Sequence, residues 1–295
     1  MAAVAVGTKP SNNKEMKKTI MALALLAAAI PAMAQTDVDL DNEFGGRLSV
    51  AADKKLNKGL HLRLEEEVRF DNNFGAFNRF HTTVGFNYKV NQYLKVGVGY
   101  ALINPWNSDS NEFKSARHRL MIDATGSMRF GVWRLSLKER FQATYRSGDM
   151  NEYQNPRTAL TLKSRLKLQY RGWRRFEPYT YIEMRNILNA PVIHAKYNKA
   201  TDKWGYYSGG IFYSKDEDNP GWFLDGFDGI YINRLRFALG FDYRINRESS
   251  IDVCLLLDYV SDKVVDANAE GTKLKSYTYE KGFFGWLTVG YKYAF

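Results

Sequence analysis

The chain has 295 residues, with 42 basic and 32 acidic side chains and a formal net charge of +10. Hydrophobic residues make up 45% of it, which excludes a disordered chain. No apolar stretch is as long as a transmembrane helix requires. A single cysteine excludes a disulfide scaffold and a cysteine-based zinc site.

The N-terminal part of the sequence is typical of an exported protein. Two lysines precede an apolar run over residues 20–30, and a small-x-small end follows at Ala32–Ala34. We therefore predict a signal peptide at residues 16–34, preceded by an upstream mis-start of the gene at 1–15. The mature chain is predicted to cover residues 35–295.

After the leader, the dominant pattern is a period of two. Between Leu60 and Phe70, apolar residues occupy most even positions and charged residues most odd positions. Side chains alternate across a β-strand, so this pattern indicates a strand with one apolar and one charged face. The pattern returns near residues 79–90, 94–102, 117–129, 133–146, 157–170, 234–244 and 287–295.

These strands are too long for an ordinary soluble sandwich, whose strands are typically ~5–6 residues long. Their aromatic residues concentrate near the strand ends, as in the aromatic girdles of transmembrane barrels. An open sheet edge in lipid leaves backbone groups unpaired, so the sheet has to close. We predict an all-β fold, an antiparallel up-and-down transmembrane β-barrel in the outer membrane of a Gram-negative cell.

Short and long connections alternate between the predicted strands. Short turns face the periplasm in such barrels, and long loops face outward. Three short turns share a basic-apolar-Asn sequence, and asparagine is expected there because it tolerates a left-handed backbone. Eleven strands are clear, but two periplasmic chain ends require an even number. We therefore predict about 12 strands, with the last one inside 35–44 or 190–227.

Three stretches of the sequence carry a resemblance to a known family: Leu64–Phe70, Tyr88–Tyr100 and Arg117–Leu120. Over nearly all of residues 36–295, the chain is similar to the outer-membrane β-barrel family filed as domain of unknown function 2490. That resemblance implies a fold and a location, and no catalytic signature.

The last strand ends in alternating aromatic residues. Tyr291, Tyr293 and Phe295 share one face of it. This arrangement resembles the C-terminal assembly signal of outer-membrane barrels, so we expect the barrel assembly machinery to be a partner.

The search for catalytic chemistry finds little. Among the four histidines, His118 lies on the apolar face, and Ser115 falls on the opposite face of the strand. Cys254 is expected to be a buried filler. The alternation places Glu66 and Glu139 on the outward face, where a charge in the middle of the membrane is costly. We therefore expect that these positions lie near a membrane interface or that the strand has a β-bulge there. We predict no catalytic residues, no cofactor and no metal site.

The inward faces carry mostly basic residues, which we predict to line the lumen. The predicted lumen-lining set is Arg63, Glu65, Glu67, Arg69, Arg117, Arg119, Arg134, Lys138, Arg140, Lys163, Arg165, Lys167, Glu183, Arg185, Arg234 and Arg236. Rings of arginine and lysine select anions in pores.

These observations favour a narrow channel or passive transporter with an anion-preferring lumen. One alternative is a plugged structural or envelope barrel with partner-binding loops. Another is a membrane-embedded lipid-modifying enzyme, a hydrolase or an acyltransferase. The expected partners are outer-membrane lipid, lipopolysaccharide and small anionic solutes, and nucleic acid is not expected.

Overall fold

A computed structural model describes residues 37–215 and 219–295. The predicted signal peptide and the upstream mis-start lie outside these residues. Within them, no helix is long and apolar enough to cross a membrane. The described residues form strands, turns and loops.

The strands in chain order are β1 (Asp37–Asp39), β2 (Glu43–Asn57), β3 (Leu60–Asp71), β4 (Ala76–Lys89), β5 (Leu94–Asn107), β6 (Glu112–Phe113), β7 (Arg117–Phe130), β8 (Trp133–Arg146), β9 (Thr158–Tyr170), β10 (Phe176–Ile193), β11 (Lys196–Asn198), β12 (Lys203–Ser208), β13 (Ile211–Ser214), β14 (Leu224–Arg244), β15 (Ser249–Ala267) and β16 (Leu274–Ala294). A closed barrel is formed by β2 to β5, β7 to β10 and β14 to β16, each paired antiparallel with its neighbour in this sequence.

The barrel turns its large apolar side chains outward. Leu120 and Ile122 on β7 are 62% and 60% exposed, whereas the inward Ala101 and Ala238 are almost completely buried. This is the reverse of a soluble protein, and it is the arrangement that a bilayer requires. The predicted all-β, antiparallel, up-and-down transmembrane barrel is therefore confirmed.

The barrel has 11 strands. Within 35–44, one of the two places predicted for a twelfth strand, the structure has only the three-residue β1, which pairs parallel with β16 at Tyr279–Lys281 and is an extra strand rather than a barrel strand. With an odd number of alternating strands, the first and the last run in the same direction. The barrel accordingly closes through a parallel pair, with β2 against β16 from Glu43↔Phe284 to Asp53↔Ala294. The described strands do not fit two ends on one side, because β2 begins at the long-loop end and β16 finishes at the short-turn end. The predicted mature N-terminus at residue 35 lies outside the described residues.

The short turns use their asparagines differently from the prediction. The Asn91 side-chain oxygen accepts backbone N–H bonds from Tyr93 and Leu94, both at 2.8 Å. Asn246 makes the same kind of turn with Glu248 and Ser249. None of the three turn asparagines has a positive φ among the described residues, because they act as hydrogen-bond acceptors instead.

Two glutamates lie on the lipid-facing side in the middle of their strands. Glu66 pairs with Thr82 on β4, and Glu139 pairs with Ser164 on β9, without a register shift at either place. The expected β-bulge is therefore wrong, and the membrane-interface position stays a prediction. Each carboxylate instead accepts a neighbouring hydroxyl bond, from Thr82 Oγ1 at 3.0 Å and from Ser164 Oγ at 2.6 Å.

The long connections pack together outside the barrel. Within 190–227, where a twelfth strand was one expectation, β11, β12 and β13 form a separate three-stranded sheet. An apolar cluster lies beside it, with Phe223 fully buried and Val265 and Leu274 also buried. The side chain of Trp204 on β12 packs against this cluster, which holds the small sheet in place.

Candidate lumen and its charge network

The barrel encloses a cavity of about 1400 Å³ that is lined by residues of the barrel strands. All 16 residues of the predicted lumen-lining set are among those that line it. They line the cavity because side chains alternate along a strand. The odd positions of β3 and β9, for example, all lie on the inner face of the sheet. The cavity wall is therefore polar and strongly charged.

One part of the wall holds a buried ion-pair network. The Arg236 guanidinium donates two hydrogen bonds to Asp258, at 2.6 and 2.7 Å, and Asp258 is only 1% exposed. Glu183 accepts a bond from Arg165 Nε at 2.7 Å and lies 3.5 Å from Arg236. Paired arginine and carboxylate groups of this kind satisfy each other after desolvation.

A second network involves Asp123 on β7. Its carboxylate accepts bonds from Arg140 at 2.5 and 2.6 Å, and Lys138 approaches to 2.9 Å. Two cations thus share one carboxylate. Farther along the wall, Arg63 donates to Glu65 at 2.9 Å.

Basic residues nevertheless lie directly opposite one another on neighbouring strands. The like-charged partners that line the cavity are Arg47↔Arg69, Arg69↔Arg79, Lys89↔Lys95, Arg117↔Arg146, Lys138↔Arg165, Arg140↔Lys163, Lys163↔Arg185 and Arg185↔Arg234. Like charges directly across a strand pair repel and destabilise the sheet. This arrangement leaves positive potential in the lumen that mobile anions can offset.

Arg47 and Trp286 are lumen residues that the sequence analysis missed. Arg47 is 6% exposed, and its guanidinium carbon lies 4.5 Å from the centre of the Trp286 ring. The signal was present as alternation with Leu48 and Val50, but the small residues of β2 weakened it. Tyr179 also faces the lumen, where its hydroxyl donates to Asp252 at 2.7 Å.

The residues set aside as non-catalytic occupy separate places. His118 faces outward and its Nδ1 lies 2.7 Å from the Tyr100 hydroxyl, whereas His81 lies in the lumen wall. Cys254 is buried, as expected for a filler. Among the described residues, no cluster of three or more histidine, cysteine or acidic side chains could hold a metal ion.

The expected assembly signal lies beside the closing strand pair. Phe295 exchanges backbone hydrogen bonds with β2, donating to the Asp53 carbonyl at 3.0 Å and accepting from Lys55 N–H at 3.1 Å. Its ring stacks on that of Tyr293, with centroids 5.6 Å apart. Tyr293 and Tyr291 are both exposed on the outer face.

The fold and the cavity together define a transmembrane β-barrel with a charged lumen. The model of the family described as "Protein of unknown function (DUF2490)" matches residues 45–268, and the chain belongs to this family. No curated protein matches the sequence.

Two of the solved structures that are similar to the chain are porins. An anion-selective porin from Comamonas acidovorans matches at 13% identity and a TM-score of 0.32, over 79% of this chain and 53% of the porin. This chain thus spans about half the length of that porin. A NanC porin matches at 11% identity and a TM-score of 0.39, over 79% of this chain and 92% of the porin. At such values these similarities carry no inference about solutes.

Proposed function

We propose that this protein is a narrow outer-membrane channel that prefers small anions. The observation that carries the proposal is the set of like-charged residues that lie side by side on neighbouring strands of the lumen wall, such as Arg117 and Arg146. Fixed positive charge in a narrow, low-dielectric pore concentrates anions and repels cations. The cavity and the outward apolar belt support passage across a bilayer rather than chemistry within it.

The proposal is tested by reversal potentials in planar bilayers under a KCl gradient. The wild-type channel is expected to have a reversal potential of the sign that chloride permeation gives. Replacing Arg117 and Arg146 by glutamine should move the potential towards zero, because two lumen charges are removed. Lys199→Gln is the matched control, since Lys199 is an exposed loop residue outside the cavity lining and should leave the potential unchanged.

Other results would contradict the proposal. Cation preference would refute the assignment of the basic faces to the lumen. Absence of any conductance by protein that migrates as a folded barrel would favour the plugged structural barrel. Release of fatty acid from outer-membrane lipid, or a modified lipopolysaccharide, would favour the lipid-modifying enzyme.

The proposed location requires recognition by the barrel assembly machinery. We propose that Phe295, with Tyr291 and Tyr293, forms that recognition signal. Phe295→Ala should lower the amount of folded barrel in cells, measured by heat-modifiable migration on gels, but leave refolding of purified protein in detergent unchanged. Phe283→Ala is the control, because Phe283 is also exposed on β16 but lies in the middle of the strand, away from its C-terminal end. Equal yields of the two variants in cells would contradict the signal.

A further inference from the structure

Three neighbouring strands place an arginine at corresponding positions on the lumen wall. Arg47 on β2 lies opposite Arg69 on β3, which lies opposite Arg79 on β4. Directly opposed side chains have Cβ atoms about 5 Å apart, so their charges interact strongly. All three residues, named here the arginine row, line the cavity.

The row is only partly neutralised by carboxylates. Glu67 accepts from Arg69 Nε at 2.6 Å. Within the described part of the chain, Arg47 and Arg79 have no carboxylate oxygen within the 4.0 Å of an ion pair. The Arg79 Nε instead donates to the neutral side chain of Asn78. Glu67 is therefore the one carboxylate of the described residues that pairs directly with the row, and Asp71 reaches Arg79 only through Asn78, which donates to it. The row keeps an excess of positive charge.

The polar groups beside the row also lack partners. Among the described residues, Arg47 Nε, Trp286 Nε1 and Thr288 Oγ1 are buried without a hydrogen-bond partner. Arg47 stacks on Trp286, and Thr288 is its partner across the parallel strand pair. Buried polar groups are nearly always hydrogen-bonded in folded proteins, so a cluster of unpaired ones indicates a missing partner.

His81 adds a fourth unpaired group to the same wall. It lies opposite Glu67, is 6% exposed, and has no partner for Nε2 among the described residues. Its Nδ1 lies 3.5 Å from Arg69 Nη2 and 3.7 Å from Glu67 Oε1, and the tautomer in which Nδ1 accepts from the guanidinium carries the ring proton on Nε2. Each of the four unpaired groups can therefore donate a hydrogen bond, and a ligand that only accepts is the complementary partner.

We infer that the arginine row is a binding site for a doubly charged oxyanion group, such as a phosphate. A row with excess positive charge and several free N–H and O–H donors matches a multiply charged oxyanion better than chloride. Guanidinium groups also bind tetrahedral oxyanions through paired N–H donors. The site would be reached from the lumen, so the anion is either a free ion or a phosphate carried by a small organic solute. The inference deepens the proposed anion channel, but the site can exist in a closed barrel.

The site is tested by fluorescence, because Trp286 contacts Arg47 and reports on it. Folded protein in detergent is titrated with inorganic phosphate at pH 8 and constant ionic strength, with chloride as the reference salt. We expect a saturable change in tryptophan fluorescence that Trp286→Phe abolishes. Arg79→Gln should weaken the apparent affinity at least tenfold without touching the reporter. Lys95→Gln is the matched control, since Lys95 also lines the cavity but lies outside the row.

Three outcomes would overturn the inference: no saturable change, an equal response to chloride, or equal weakening by Arg79→Gln and Lys95→Gln. A second titration uses a sugar phosphomonoester. Similar affinity for both ligands supports recognition of the phosphate group, whereas binding of the ester alone contradicts a site for the oxyanion itself. Heat-modifiable migration verifies that every variant is folded.

Bilayer recordings separate the failure of the site from the failure of the channel. If chloride conducts, phosphate should reduce the chloride current, and Arg79→Gln should raise the half-blocking concentration. Cation preference or absent conductance would refute the channel, and the fluorescence titration would still decide whether the row binds phosphate. Conversely, an anion-selective channel without saturable phosphate binding would retain the proposed function and refute the site.

Discussion

Asp258 holds two arginines on the lumen wall and is almost completely buried. It accepts two hydrogen bonds from Arg236, and Arg234 lies 3.4 Å away. Such a carboxylate stabilises the fold mainly by compensating the charges of its two arginine partners, and less by filling space. Without it, positive groups that are already desolvated would face each other with less compensation.

Asp258→Ala should therefore lower the free energy of unfolding by about 3–5 kcal/mol, the usual effect of breaking a buried ion pair. Urea unfolding in lipid vesicles measures this change. Glu65→Ala is the comparison, because its partner Arg63 is 37% exposed to the lumen and the loss should stay below about 1 kcal/mol. Equal losses for the two variants would show that Asp258 is not the more important carboxylate.

At the scale of single residues, the sequence predicted which face a side chain occupies but not its partner. Alternation placed Arg236 and Glu183 inward, and both line the cavity. Their contact depends on the registers of β10 with β14 and of β14 with β15, which no local pattern encodes. Arg47 was missed because Gly45, Gly46 and Ser49 interrupt the apolar alternation around it.

Among the elements, the parallel pair that closes the barrel is packed tightly at Gly45. Trp286 lies opposite Gly45, and a Cβ atom at Gly45 would come within 2.5 Å of both the Trp286 ring and the carbonyl oxygen of Phe70. A backbone oxygen held in a sheet cannot move away cheaply. A residue larger than glycine therefore does not fit at position 45, because the inward ring of Trp286 packs directly against it.

Gly45→Ala should lower the temperature at which heat-modifiable migration is lost, by an amount that corresponds to about 1–3 kcal/mol of overpacking. Gly126→Ala is the matched control, because nothing lies within 4 Å of a Cβ atom there and Gly126 is also in a barrel strand. A similar shift in both variants would mean that the closing pair tolerates a side chain at Gly45.

The sequence predicted the barrel strands well and their number less well. Period-two runs such as Leu60–Phe70 indicate a strand by themselves, and the structure has β3 from Leu60 to Asp71. The number 12 rested on an assumption about where the chain ends lie. A barrel that closes through a parallel pair can have an odd number of strands, so the assumption fails. Neither β2 nor β16 has a local sequence pattern that distinguishes a parallel from an antiparallel partner.

In the whole molecule, the barrel and the outer loops bury their apolar residues in different places. The barrel exposes large apolar side chains to the membrane, whereas the loops bury theirs in the cluster around Phe223. The sheet of β11, β12 and β13 pairs with none of the barrel strands. Its one described anchor on this cluster is Trp204, whose Nε1 also donates to the Lys275 carbonyl at 3.3 Å.

The small outer sheet should therefore be dispensable for both the barrel and its selectivity. Lys196 and Ser214 lie two strand spacings apart, roughly 10 Å, which a four-residue Gly-Ser linker can span. Replacing residues 197–213 by this linker should preserve heat-modifiable migration. The reversal potential in a KCl gradient should also stay unchanged, because none of the cavity-lining residues lies in the replaced segment.

Trp222→Ala provides the contrasting variant, since Trp222 packs on the Phe223 cluster itself. Its loss should make the outer loops more sensitive to protease while the barrel stays folded. Loss of the folded barrel in the linker variant would show that the outer sheet supports the strands. A changed reversal potential with an intact barrel would place part of the selectivity in the loops, and the like-charged partners of the lumen wall would then not be its sole origin.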